Sequence, residues 1–190
     1  MNVLPKNEPI LLASASPRRR ELLALLGVRF DVVVPDVDET PLPDEPPRAF
    51  AERMARDKAA AVASSGVVVA ADTVVVLGGR ILGKPADAAD ARAMLAALSG
   101  RTHRVLTGVC VRRNERAHVF SVATEVEFRP LCEEEISAYV DSGEPMDKAG
   151  AYAVQGGASS MVRALRGSYS NVVGLPLCEL RQALLDALSS

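Results

Sequence analysis

Cysteine is scarce in this chain of 190 residues. Cys110, Cys132 and Cys178 are odd in number, far apart and without CxxC spacing. That argues against both a disulfide framework and a zinc site. Charge of one sign is not in excess either. A net charge of −2 and a pI near 5.8 leave no electrostatic footprint for nucleic acid or an anionic membrane, so any basic site must be local. No apolar run approaches the ~20 residues that a membrane helix needs, and nothing resembles a signal peptide. Histidine occurs only at His103 and His118, both in stretches with strand patterning, and no GxSxG elbow precedes a helix. A Ser-His-Asp hydrolase is thereby disfavoured. Tryptophan is absent although 48% of the residues are hydrophobic. No repeat, low-complexity tract or linker divides the chain, so we expect a soluble protein of a reducing compartment, built as one large domain or two small lobes.

What is present begins with Ile10 to Gly27, ILLASASPRRRELLALLG. Ile10 to Leu12 reads as a buried strand, Ser14 to Ser16 as a turn, and Pro17 as the first residue of a helix. Ser16 is a good N-cap, and Gly27 sits where a helix ends. Arg18, Arg19 and Arg20 crowd the first turn, where the helix dipole disfavours cations by a few tenths to ~1 kcal/mol each. Free N–H groups, Ser14, Ser16 and a guanidinium fork suit a phosphate group. Three solvated arginines are the bland alternative.

A second strand at Phe30 to Val34 runs into the acidic, proline-stiffened loop holding Asp36, Asp38 and Glu39. In α/β sheets that end of a strand is where ligands bind, although a solvated loop has the same composition. Arg48 to Ser64 reads as an alanine-rich helix. Lys58 falls on its apolar stripe with Phe50, Met54 and Ala61. Such a lysine either snorkels its ammonium past the edge of the core, the commoner outcome, or reaches into a cleft.

Val67 to Ala71 is a continuous apolar run, expected as a central strand buried on both faces. Asp72 then interrupts it before Thr73 and Val74 to Leu77. A carboxylate in that setting costs several kcal/mol without partners, so it must meet a cation, a metal or a row of donors, or be protonated. Gly78-Gly79 reads as a two-residue hairpin turn. GGRILGKP nearly spells a P-loop, but Pro85 stands where the hydroxyl that holds magnesium belongs and biases Lys84 away from helix. Lys84 remains a rigidly presented cation.

Further on, Asp87 to Leu98 reads as a helix, and Val105 to Arg112 and Ala117 to Phe128 as a long hairpin around Asn114-Glu115. Glu133 to Glu135 complement the start of a helix, with Cys132 a poor cap. Asp147 to Gly157, DKAGAYAVQGG, is a glycine-bracketed loop carrying Lys148 and Gln155. Met161 to Leu165 is expected to return as a strand, Arg166 to Asn171 to turn, and Val172-Val173 to be a short apolar piece. Pro176 opens a last helix with Leu177, Leu180, Leu184 and Leu188.

Anion-binding groups (Arg18, Arg19, Lys58, Lys84, Lys148) thus accompany carboxylates (Asp38, Glu39, Asp72). Carboxylates that bind a hard divalent ion, with cations on phosphates, are what metal-assisted phosphoanhydride hydrolysis requires. ASASPRR, DVDE, Lys58-Ala59, ADTVV, GKP, DKAGAYAVQG and NVVGLPL, in that order from Ile10 to about Leu180, resemble the Maf family of nucleoside triphosphate pyrophosphatases.

The resemblance implies a single domain over residues 1–190 of α/β class: a mixed twisted sheet flanked by helices, in two lobes around a central cleft, like the inosine triphosphatases. It also implies a cytoplasmic enzyme, often dimeric in the family, that cleaves a nucleoside triphosphate to monophosphate and pyrophosphate with a divalent metal. By position Asp72 matches the catalytic acceptor, and Arg18, Thr73 and Gln155 match specificity positions. AGAYAVQG matches the branch that acts on dTTP and UTP. The expected mechanism has Glu39 and Asp72 holding Mg²⁺ or Mn²⁺, and Asp72 orienting or deprotonating water. Arg18, Lys58 and Lys84 hold the triphosphate with Ser14 and Ser16, supported by Asp38, Arg19 and Lys148. The substrate is a small nucleotide, with no nucleic acid or membrane partner. A house-cleaning enzyme for modified nucleotides and a nucleotide-binding regulator of septum formation are the alternatives.

Overall fold

Ser16 ends a short strand and starts a helix, as its residue type requires. Its hydroxyl accepts the backbone N–H of Arg19 at 3.4 Å, and Pro17 occupies the first helical position. The computed structural model describes residues 4, 8 and 10–189. In chain order it holds β1 (Ile10–Ala13), α1 (Pro17–Ala24), β2 (Phe30–Val33), α2 (Pro47–Ala60), β3 (Val67–Leu77) and β4 (Arg80–Leu82). Then come α3 (Ala88–Leu98), β5 (Thr102–Arg113), β6 (Arg116–Phe128), α4 (Glu133–Asp141), three short 3-10 turns, β7 (Val162–Arg166), α5 (Tyr169–Val173) and α6 (Leu177–Ser189).

The strands form one mixed seven-stranded sheet in the order β2-β1-β3-β5-β6-β7, with β4 paired to β3. β1 runs parallel to both β2 and β3, placing Ile10 beside Phe30 and Val67, while β3/β4 and β6/β7 are antiparallel. The α/β class with a mixed sheet is therefore as expected. The chain divides into two compact units. The first is Met1–Asp72, Thr107–Val122 and Gly174–Ser190; the second is Thr73–Leu106 and Ala123–Val173.

Small side chains organise the first unit. Ala13, Ala55, Ala59, Val62, Val68, Ala70 and Cys110 form a buried cluster. A Cβ on Gly108 would lie 2.2 Å from the Ala51 carbonyl oxygen, so β5 and α2 approach as closely as backbones can. The second unit is packed with larger groups. Leu95, Leu98, Phe128, Ile136, Tyr139, Tyr152 and Met161 belong to its core. His103 is buried there, edge-on to Phe128 and 2.7 Å from the Tyr152 hydroxyl.

Four local expectations change. The second helix stops at Ala60 instead of Ser64, because the Arg112 guanidinium binds the carbonyls of Ala59, Val62 and Ser64 at 3.1, 2.5 and 3.2 Å. That side chain satisfies carbonyls that a longer helix would have paired. β3 is one continuous strand of 11 residues, so Asp72 lies within it and not at an interruption. The return strand begins at Val162, with Met161 buried in the preceding 3-10 turn. Residues 169–173 form a helix where a turn and a short apolar piece were expected. The Ser168 hydroxyl accepts the Asn171 N–H at 3.2 Å, an N-cap contact whose serine was visible in the sequence. Gly78 and Gly79 do turn the β3–β4 hairpin, with φ of 58° and 86°.

Candidate active site

The first unit gathers the acids and most of the cations. Lys58 Nζ lies 2.6 Å from Glu39 Oε1 and 2.6 Å from Asp72 Oδ1. Lys58 and Asp72 are 8% and 9% exposed, so they form a desolvated ion pair, while the Glu39 side chain remains half exposed. Helix α2 thus turns its lysine inward, against the commoner snorkelling outcome. A lone buried charge here would be strongly unfavourable, and each partner makes the other tolerable.

The serine loop and α1 flank this centre. Ser14 Oγ accepts the Ser16 N–H at 3.2 Å and an Arg19 Nη1–H at 3.3 Å. Arg19 Nε also donates to the Gly174 carbonyl at 2.9 Å, tying α1 to the segment before α6. Burial pulls the Arg19 pKa down. Asp72 opposes that, Arg18 adds to it by like charge, and Glu39 opposes it. Arg18, Arg19, Glu39 and Asp72 therefore share one electrostatic neighbourhood, with Arg18 half-buried. Arg19 also serves as scaffold, because two of its donors go to the protein.

The loop bearing Glu39 is held from α2 by a group that sequence reasoning missed. Arg53 donates from Nε to Glu45 Oε1 at 2.7 Å and from Nη2 to the Thr40 carbonyl at 3.0 Å. The Arg53 hydrogen bond is the main cause that holds the Glu45 carboxyl down at about 2. Asp38 instead caps its own loop by accepting the Thr40 N–H at 2.9 Å, and bonds from Thr40 keep its pKa low. Arg53 stands eight residues from Glu45, a separation that carried no periodic signal.

Whether the acids suit a metal is a question of donors. Among the described residues no three His, Cys, Asp or Glu side chains cluster as a metal cage. Glu39 and Asp72 nevertheless converge on a single cation, the Lys58 ammonium. Two carboxylates with one side open to water and phosphate oxygens are a donor set that fits a magnesium-like ion, which seldom takes an all-protein cage.

In the second unit, Thr73 follows Asp72 on β3 and is half-buried, pointing to the other face of the strand. Lys84 is exposed, and its neighbour Gly83 accepts the Gly150 N–H at 2.9 Å. That bond joins the GKP loop to the DKAGAY loop. Gly150 has φ +69°, and a Cβ on it would meet Val75 at 2.9 Å. Lys148 is engaged locally, donating to the Glu144 carbonyl at 2.8 Å and pairing with Asp147. Gln155 is exposed at the tip of its loop. Burial holds His103 neutral, with its pKa lowered to about 4.

The comparisons agree with one another. The profile described as "Maf-like protein" matches residues 9–187. A dTTP/UTP pyrophosphatase of Anaeromyxobacter dehalogenans (strain 2CP-C) is 60% identical over 182 residues, 94% of this chain and 93% of that protein. The protein of the same name from Geobacter metallireducens is 53% identical, covering 95% of this chain and 97% of the relative. That from Geobacter sulfurreducens is 57% identical, covering 92% and 94%. Among solved structures, the Staphylococcus aureus Ham1 protein superposes with a TM-score of 0.51 at 17% identity, covering 95% of this chain and 100% of that one. That likeness concerns the fold alone. With a family match over nearly the whole length and relatives above half identity, this chain is a member of the Maf family.

Proposed function

We propose that the chain hydrolyses dTTP and UTP to the monophosphate and pyrophosphate, as a cytoplasmic enzyme whose 190 residues form one catalytic domain. The observation that carries this reading is the Glu39–Lys58–Asp72 cluster, an ionic centre beside the serine-capped start of α1. The names of its relatives supply the nucleotide. No described helix is long and apolar enough to cross a membrane.

Glu39 and Asp72 would hold the divalent ion, which when bound neutralises phosphate charge. Asp72, anchored in the middle of a rigid strand, orients the attacking water and accepts its proton at a carboxylate oxygen. The water oxygen bonds to phosphorus, the bond to the oxygen bridging the α and β phosphates breaks, and pyrophosphate departs. Lys58 is pre-positioned by its acids, and Arg18 and Lys84 add charge for the triphosphate. Ser14, Ser16 and the N–H groups of α1 stabilise the negative charge that develops on leaving. Arg19 holds the serine loop in place. Thr73 and Gln155 contact the nucleoside, and Lys148 braces the loop that carries Gln155.

The test is pyrophosphate release by the purified protein across dTTP, UTP, CTP, dITP and 7-methyl-GTP, with magnesium, with manganese and with chelator. Metal-dependent turnover greatest on dTTP and UTP is expected. Preference for dITP overturns the pyrimidine assignment in favour of a house-cleaning role. Stoichiometric binding without pyrophosphate release overturns the enzymatic one in favour of a regulator.

A further inference from the structure

The segment 153–157, AVQGG, has Gln155 at its centre and is irregular until Gly157, where a 3-10 turn begins. Its two ends are held by side chains from outside the loop. The Ala153 N–H donates to the Tyr139 hydroxyl at 3.2 Å in a buried setting. The Tyr139 hydroxyl donates to Glu144 Oε1 at 2.9 Å. Glu144 Oε2 accepts the Gly157 N–H at 3.1 Å. One hydroxyl and one carboxylate therefore close a ring around the glutamine. The ring of Tyr139 is 7% exposed and part of the core, so the clamp stands on a fixed base.

The glycines next to Gln155 report the same arrangement independently. A Cβ on Gly156 would lie 2.2 Å from Glu144 Oε1, although φ of 179° is open to any residue. A Cβ on Gly157 would press on the Tyr139 ring at 3.1 Å. Glycine at 156 is thus required by the nearness of the Glu144 carboxylate and not by backbone strain. A larger residue there moves Glu144 aside at little steric expense but opens the clamp.

We infer that Tyr139 and Glu144 are positioning residues for base selection: they fix both ends of segment 153–157 and so hold the backbone that carries Gln155 in one place for the base. The inference rests on the reading of Gln155 as the group that meets the pyrimidine. Binding by a loop already held in place avoids the ordering cost that a free loop would meet on each encounter.

Two readouts on the full-length protein separate the clamp from the base reading. Hydrogen exchange of the 153–157 amides reports the clamp without any substrate, and the UTP to CTP ratio of kcat/KM reports selection. Glu144→Ala and Tyr139→Phe should each speed exchange in that segment about tenfold or more, with the rest of the second unit unchanged. They should lower the UTP to CTP ratio by about tenfold, mainly through KM. Glu144→Gln should stay near wild type, because its carbonyl can accept from Gly157 and its NH₂ can donate to the Tyr139 oxygen. Gly156→Ala should resemble Glu144→Ala. Unchanged exchange in Glu144→Ala and Tyr139→Phe overturns the clamp. Faster exchange with an unchanged ratio, in a protein whose Gln155→Glu variant does shift that ratio, overturns its part in selection. If Gln155→Glu itself leaves the ratio unchanged, the base reading falls, and faster exchange still supports the clamp.

Discussion

The two units bury polarity in opposite ways. In the first, an ammonium sits between two carboxylates, with a guanidinium nearby. In the second, the buried polar groups are neutral: His103 against Tyr152, and Asn171 Nδ2 donating to the Val105 carbonyl at 3.0 Å and to Thr124 Oγ1 at 2.9 Å. Hydrophobic groups of the same shape would serve stability as well as a buried ion pair does. Charge is therefore retained in the first unit where the proposed chemistry needs it. The second unit keeps its charged groups, Glu144 and the Lys148–Asp147 pair, out of the fully buried interior.

Asp72→Asn should give the largest effect and break the ionic side of this contrast. The amide keeps the shape but is a poor metal ligand and cannot take the water's proton, so a loss of ~10² to 10⁴ in kcat is expected with the fold intact. Pyrophosphate release above about a tenth of wild type would remove Asp72 from the centre of the mechanism.

Lys58→Met and His103→Phe sharpen the contrast, because one removes a buried charge and the other a buried neutral ring. Lys58→Met leaves Asp72 buried without its ammonium, which should destabilise the fold by a few kcal/mol at neutral pH. His103 is held near 4 when folded, below its ordinary value of about 6.5. The unfolded chain then binds more protons between those values, so the His103 contribution is complete above about 6.5 and falls away as pH drops toward 4. That loss is on the order of 3 kcal/mol at full development. His103→Phe should flatten the stability profile over that window, measured by urea unfolding at several pH values. Equal pH slopes for wild type and His103→Phe would show that the histidine titrates as if exposed.

Gln155→Glu should lower kcat/KM for dTTP and UTP by about one to two decades, a ~1 to 3 kcal/mol mismatch, because a carboxylate has no donor for the carbonyl beside N3. The measurement is the UTP to CTP ratio in both proteins. The smallest effect belongs to Lys84→Ala. Its ammonium is exposed, so triphosphate binding should weaken modestly and the difference should fade as salt rises. A KM identical to wild type at low salt would make Lys84 a surface residue.

The sequence by itself determined the elements whose causes are local. Ser16 and Pro17 marked the start of α1, although the helix ends at Ala24, ahead of Gly27, where the chain tightens into i to i−3 bonds. Gly78-Gly79 marked the hairpin, and alternation put Val122, Thr124, Val126 and Phe128 on one face of β6, with the last three of these buried and Val122 half-buried. The ordered motifs were enough to expect the family and to name Asp72. What only the tertiary structure decided is where long side chains end. Periodicity placed Lys58 on an apolar stripe, but only the meeting of α2, β3 and the Glu39 loop decides that it turns inward. Arg19 reaches a carbonyl 155 residues away, Arg112 ends α2 from 53 residues away, and Ala153 rests on a tyrosine hydroxyl 14 residues earlier. Such contacts leave no mark on a local pattern, because an arginine, glutamate or tyrosine fits its own helix or strand equally well with or without the distant partner. The same holds for Arg53, which donates to the Thr40 carbonyl, and for Glu144, which accepts the Gly157 N–H, since these groups become neighbours only once the chain has folded.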